Sequence, residues 1–167
     1  MKRFTKHWIG WGIFVLAAGS LWHFVYEWSG ETWLVGLFFP VNESTWEHMK
    51  LVFFPMAISG GFLTGRFRKE MPGILGSVCA GALVGTWAVP VLFYTYSGIL
   101  GRDVMALDLL TFAFSVAAGF LVIRRMAGSD GAEKWGGWLC FLAIAQGVLF
   151  PVFTVFPPET GLFAFPG

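Results

Sequence analysis

Apolar residues run in long blocks along this chain, and short polar knots separate them. About 20 residues of helix, rising 1.5 Å each, cross a hydrocarbon core of about 30 Å. Blocks of that length predict crossings over about 8–28, 46–65, 73–96, 105–123 and 135–156. A further apolar piece, 33–41, is too short to cross and has Pro40 near its end. It reads as a re-entrant or interfacial segment, tolerated where protein or a wet cavity satisfies its backbone. The expected fold is all-α: one integral-membrane domain over 1–167, with five transmembrane helices and a short non-spanning segment between the first two.

Composition agrees with that pattern. Hydrophobic residues make up 56% of the chain and charged ones 13%, against about 25% charged in a soluble domain. So few charges cannot coat a water-facing surface, and a lipid bilayer is the expected surrounding. The first block is too long and too rich in Trp for a cleaved signal segment, so it is expected to be retained. Cys79 and Cys140 lie far apart inside apolar runs and read as small buried hydrophobes rather than a disulfide. No basic run points to nucleic acid.

The charges set an orientation. Lys2, Arg3 and Lys6 precede the first span, Arg66, Arg68 and Lys69 follow the second, and Arg124, Arg125 and Lys134 join the fourth to the fifth. Nine of the eleven basic residues thus fall on one side, which the positive-inside rule makes cytoplasmic. A multi-pass protein of the cell membrane is expected, its N-terminus cytoplasmic and its C-terminus extracytoplasmic. Glu27, Glu31, Glu43, Glu47, Asp103, Asp108 and Glu159 gather at the outer end, opposed only by Lys50 and Arg102. Such a surplus attracts cations.

The polar knot "PVNESTWEHMK", Pro40 to Lys50, carries the candidate chemistry. "STWE" reads as a capping box, Ser44 being the N-cap and Glu47 reaching back to it. The apolar run behind it, Leu51 to Thr64, has 14 residues and covers about 21 Å. A full crossing therefore draws Glu47, His48 and Lys50 below the outer interface, unless thinning or a snorkelling Lys50 relieves the mismatch. Ionisable groups at that depth cost about 2.5–3.5 kcal/mol each, which by default marks a site. Glu43, Glu47 and Lys50 share a helical face at i, i+4, i+7, whereas His48 is turned about 100° from Glu47. In the first span His23 and Glu27 are also four apart, and Asp108 lies one turn into the fourth.

Two histidines and several carboxylates from three helices at one level point to a single polar site. His23, Glu27, Glu43, Glu47 and His48 are the catalytic candidates. Asn42, Ser44, Trp46, Lys50, Tyr26 and Asp108 are expected around them as binding residues. His23, Glu43, Glu47 and His48 suit a divalent ion such as Zn²⁺, Mn²⁺ or Fe²⁺, for which imidazole and carboxylate are fitting ligands. A metal with spacing such as HExxH is not encoded. Elsewhere the residues read as structural. Glycines at 73, 76, 81 and 85 permit close helix packing, Pro55, Pro90 and Pro151 predict kinks, and Gln146 predicts an interhelical hydrogen bond. The tail "FPPETGLFAFPG" is expected to fold back over the outer mouth as a lid.

"HFVYEWSG" (His23–Gly30) and "PVNESTWEHMK" resemble a family of small bacterial polytopic membrane proteins of unknown function, with patterns HxxYxWSG and PVNESxWEHxK. A looser tail match covers Pro157, Pro158, Leu162 and Phe163. The resemblance implies a shared integral-membrane fold and carries no activity with it.

Three functions fit these readings. The first is an outward-facing intramembrane site, metal-dependent or acid/base, acting on a small ligand or lipid head group. The second is a transporter or channel component binding a cation or proton. It needs polar groups continuing inward, and only Ser59, Thr64, Ser77, Thr86, Thr111, Ser115 and Gln146 offer themselves, so a pore calls for a homo-oligomer. The third is a structural or accessory subunit, its polar cluster acting as glue between helices.

Overall fold

The computed structural model describes residues 2–164, apart from the side chains of Lys2, Arg3 and Thr5. Lys2 and Arg3, counted in the charge argument, thus have side chains outside that description. Six helices follow one another: α1 (Lys2–Trp28), α2 (Trp33–Gly36), α3 (Thr45–Phe67), α4 (Ile74–Leu100), α5 (Met105–Met126) and α6 (Asp130–Val155). Among the described residues the chain is all helical, with four helices long and apolar enough to cross a membrane: α1 from Lys6, α4, α5 and α6. Their outer faces carry large exposed hydrophobics such as Ile13, Val91, Phe114 and Ile144, as surfaces turned to lipid would.

α3 is the exception, and its place in the bundle explains why. Its 23 residues extend about 35 Å, but Glu47, His48, Lys50 and Arg66 interrupt its hydropathy. It is also the most enclosed helix, burying Trp46, Met49, Val52, Met56, Leu63 and others among its neighbours. A helix wrapped by protein need not be apolar all round, since its polar groups can be satisfied inside. Lys50 shows this directly: it is completely buried and bonded inward rather than snorkelling to the interface.

Close approach of the helices depends on glycine. A Cβ on Gly76 would stand 2.3 Å from the Ala132 carbonyl oxygen of α6, and one on Gly81 would stand 2.6 Å from the Gly119 carbonyl oxygen of α5. Both obstacles are backbone and cannot swing away. Gly76→Val is therefore expected to lower stability by about 1–3 kcal/mol, typical of overpacking, read as the unfolding midpoint in detergent. Pro55, Pro90 and Pro151 lie inside α3, α4 and α6 without ending them.

The cysteines are free, as expected, and the reading of Gln146 is revised. Cys79 and Cys140, distant in sequence, stand side by side as free thiols between α4 and α6, with Sγ atoms 2.6 Å apart. Gln146 is buried, but its Nε2 has no hydrogen-bond partner. The described part of the tail, as far as Ala164, does fold back, though onto a different spot; its last three residues lie outside the described ones. The Leu162 carbonyl accepts the Trp46 N–H at 3.0 Å, Phe163 packs on the Trp46 indole, and the Tyr94 hydroxyl holds the Gly161 carbonyl. It thus seals the start of α3, where a helix leaves N–H groups unpaired.

Candidate functional site

The turn before α3 is built by local hydrogen bonds. Asn42 Oδ1 accepts the Ser44 N–H at 2.9 Å, and Ser44 Oγ accepts the Glu47 N–H at 3.4 Å as N-cap. Only half of the expected capping box forms. The Glu47 side chain does not return to Ser44; its Oε2 accepts the Val41 N–H at 3.0 Å. Glu43 precedes the helix, so it does not share a helical face with Glu47 and Lys50 as its spacing had suggested.

From this turn the knot splits into two networks that face opposite ways. Glu47, His48 and Lys50 are helical, and the 100° between Glu47 and His48 sends them apart. On one side the Lys50 ammonium meets Glu47 Oε2 at 2.7 Å, Thr154 Oγ1 at 2.7 Å and the Gly36 carbonyl at 2.8 Å. Thr154 Oγ1 is also 2.8 Å from Glu47 Oε1. Both charges are almost wholly removed from solvent, so this network ties α2, α3 and α6 together. Thr154 was not singled out from the sequence, since a threonine near a helix end carries no signal of its own.

On the other side, His23 of α1, Glu43 of the turn and His48 of α3 converge. Glu43 Oε2 lies 3.5 Å from His23 Nε2 and 3.4 Å from His48 Nε2, and one ligand atom from each residue falls within 4.8 Å of the others. The two imidazole rings are edge to face at 5.4 Å. His48 Nδ1 lies 3.0 Å from the Ser44 carbonyl. A carbonyl oxygen can only accept, so Nδ1 keeps its hydrogen. His48 Nε2 then either carries a second proton or turns a bare lone pair towards a carboxylate oxygen. Something positive belongs between them. The His48 imidazole, by its hydrogen bond, holds the Glu43 carboxyl below its ordinary value, against the opposing effect of partial burial. That contribution is present above the ordinary carboxylate range and is lost as pH falls through the lowered value.

These three side chains sit on the wall of a cavity of about 510 Å³ enclosed by α1, α3, α4 and α5. Asp108 lines it too, its carboxylate accepting the Tyr96 hydroxyl, and Asp103 stands nearby. The remaining sequence candidates fall outside. Glu27 is exposed beyond the cluster, Tyr26 packs against Gly36, and Trp46 is buried among Phe150, Phe153 and Phe163. Glu47, counted among the metal candidates, is not brought to His23, Glu43 and His48; both of its oxygens are engaged in the Lys50 network.

Such a bundle, with four membrane-compatible helices and a polar cluster on the wall of a cavity, defines a helical membrane-type protein. Its chain belongs to a family of unknown function (DUF6512), whose family model matches residues 1–165. No curated protein and no solved structure matches it.

Proposed function

We propose that this is a five-span protein of the cell membrane, its N-terminus cytoplasmic, whose outward-facing cavity binds a divalent cation through His23, Glu43 and His48. α3 serves as the fifth crossing because its buried charges, Glu47 and Lys50, face protein, which removes the cost of exposing them to lipid. One observation carries the metal reading: His23, Glu43 and His48 converge around Glu43 Oε2, one ligand atom from each within 4.8 Å of the others, so that an ion would have only to draw the two imidazoles closer. Bonds of 2.0–2.2 Å in a tetrahedral zinc site set neighbouring ligand atoms about 3.3–3.5 Å apart. The two distances from Glu43 Oε2 are 3.5 and 3.4 Å, wider than the 2.7–2.9 Å of a direct charged hydrogen bond. The Ser44 carbonyl fixes the His48 tautomer that leaves Nε2 free, the outer partner that ligating histidines ordinarily have.

Three protein ligands leave a coordination position open, as in catalytic sites. An ion there would polarise an oxygen of a small ligand or lipid head group lying in the cavity. Asp108, on the same wall, is the carboxylate placed to exchange a proton with that ligand. The lower part of the bundle supports a second reading, a cation or proton carrier. Thr64, Thr86, Ser115 and Gln146 each bury a polar atom without a partner, and such atoms invite water.

The test is metal analysis of the detergent-purified protein with titration by Zn²⁺, Mn²⁺ and Fe²⁺. One ion per chain, lost in His23→Ala, is expected. Failure of the wild type to hold any of the three at micromolar concentration would overturn the reading and leave a His48 imidazolium paired with Glu43.

A further inference from the structure

The walls of the same cavity say more about its ligand. Gly19 of α1 and Phe112 of α5 are packed so closely that a Cβ on Gly19 would stand 2.5 Å from the Phe112 ring. This contact forms one end of the space. From there, towards the C-terminal end of α1 and the N-terminal end of α5, the cavity occupies the gap between the two helices. Phe24, Met105 and Leu109 line it, yet they remain 47%, 79% and 64% exposed. A residue that lines a cavity and is also open on the outer face of a lipid-facing helix marks a side opening. In a bilayer that opening meets acyl chains rather than water.

Charge narrows the head group. Lys and Arg are both missing from the lining, while Glu43, Asp103 and Asp108 are present. Lys50 is turned away and fully engaged. An anionic head would meet these carboxylates with no fixed cation beyond the bound metal, and a cationic head would compete with that metal. A cavity of about 510 Å³ is within the range of about 300–1,000 Å³ for small-molecule sites.

We infer that the cavity takes a single-chain, membrane-resident amphiphile with an uncharged, oxygen-bearing head group, which enters sideways between α1 and α5. Its chain lies along Phe24, Met105 and Leu109, and its head oxygen points at His23, Glu43 and His48. This deepens the proposed function and rests on it only for the metal.

The experiment is native mass spectrometry of the full-length protein in detergent, with three probes at equal concentration. They are 1-monooleoylglycerol, its water-soluble head analogue glyceryl monoacetate, and oleoyl lysophosphatidic acid. Retention of monooleoylglycerol at least tenfold above both others is expected. It should fall at least tenfold in Leu109→Trp and in Ser20→Phe, which narrow the gap from α5 and from α1 at positions open enough to accept the change. Equal retention of the soluble head analogue, stronger retention of the anionic probe, or indifference to both narrowing variants would each overturn the inference. Metal content is measured on the same samples. A wild type that holds its metal but shows no preference for monooleoylglycerol would sink this inference alone. Monooleoylglycerol retention without any metal would sink the metal reading and the exclusion of a cationic head that rests on it, and would leave the side entry standing.

Discussion

Lys50→Ala is expected to destabilise the protein by about 3–5 kcal/mol, the cost of leaving one member of a buried ion pair without its partner. Glu47 has 2% of its side chain accessible and Lys50 none, so water cannot replace the lost ammonium. The change also strips donors from the Gly36 carbonyl and from Thr154. Thr154→Val, which leaves the charges paired, should cost less, about 1–2 kcal/mol. Joint replacement, Lys50→Met with Glu47→Leu, removes both charges and should recover part of the loss. Recovery stays incomplete because the Val41 N–H and the Gly36 carbonyl remain without partners. Unfolding in mixed micelles, followed by tryptophan fluorescence, measures all four proteins. A Lys50→Ala loss below 1 kcal/mol would show that the pair does not hold α2, α3 and α6 together.

His48→Ala should lower zinc affinity by on the order of 100-fold or more, since loss of an outer-shell partner alone costs 10–100-fold. The stability of the fold should change much less than in Lys50→Ala, because His48 is partly accessible and stands on a cavity wall. This contrast separates a ligand from a structural pin: one variant should lose metal and keep its fold, the other should do the reverse. Acid should mimic the ligand variant. Imidazole must be neutral to ligate, so protons compete with the metal and zinc binding should weaken progressively as pH falls. Competition against a chromogenic chelator between pH 5.5 and 8 would show it. Affinity independent of pH over that range would contradict ligation by histidine.

Much of the fold can be read along the chain. Hydropathy placed the second crossing at 46–65 and the fourth at 105–123, against observed helices of Thr45–Phe67 and Met105–Met126. Ser44 was recognisable as a cap because its hydroxyl acts within three residues. The 100° between Glu47 and His48 was legible for the same reason, helical geometry being local. What was not legible is where each of them lands. Glu47 finds Thr154 across 107 residues, and Glu43 finds His23 from another helix. The meeting of Cys79 with Cys140 and the docking of Leu162 on Trp46 are similarly remote, and no periodicity encodes them.

The sequence by itself determined that these blocks are helices suited to lipid, and that one knot of ionisable residues must be drawn among them. Both follow from the cost of placing polar atoms in an apolar solvent, which is counted residue by residue. Only the tertiary structure decided which carboxylate joined Lys50 and Thr154 and which met the two histidines. That choice depends on which neighbouring helix supplies a cation, a hydroxyl or a second imidazole, and this is settled when distant segments pack.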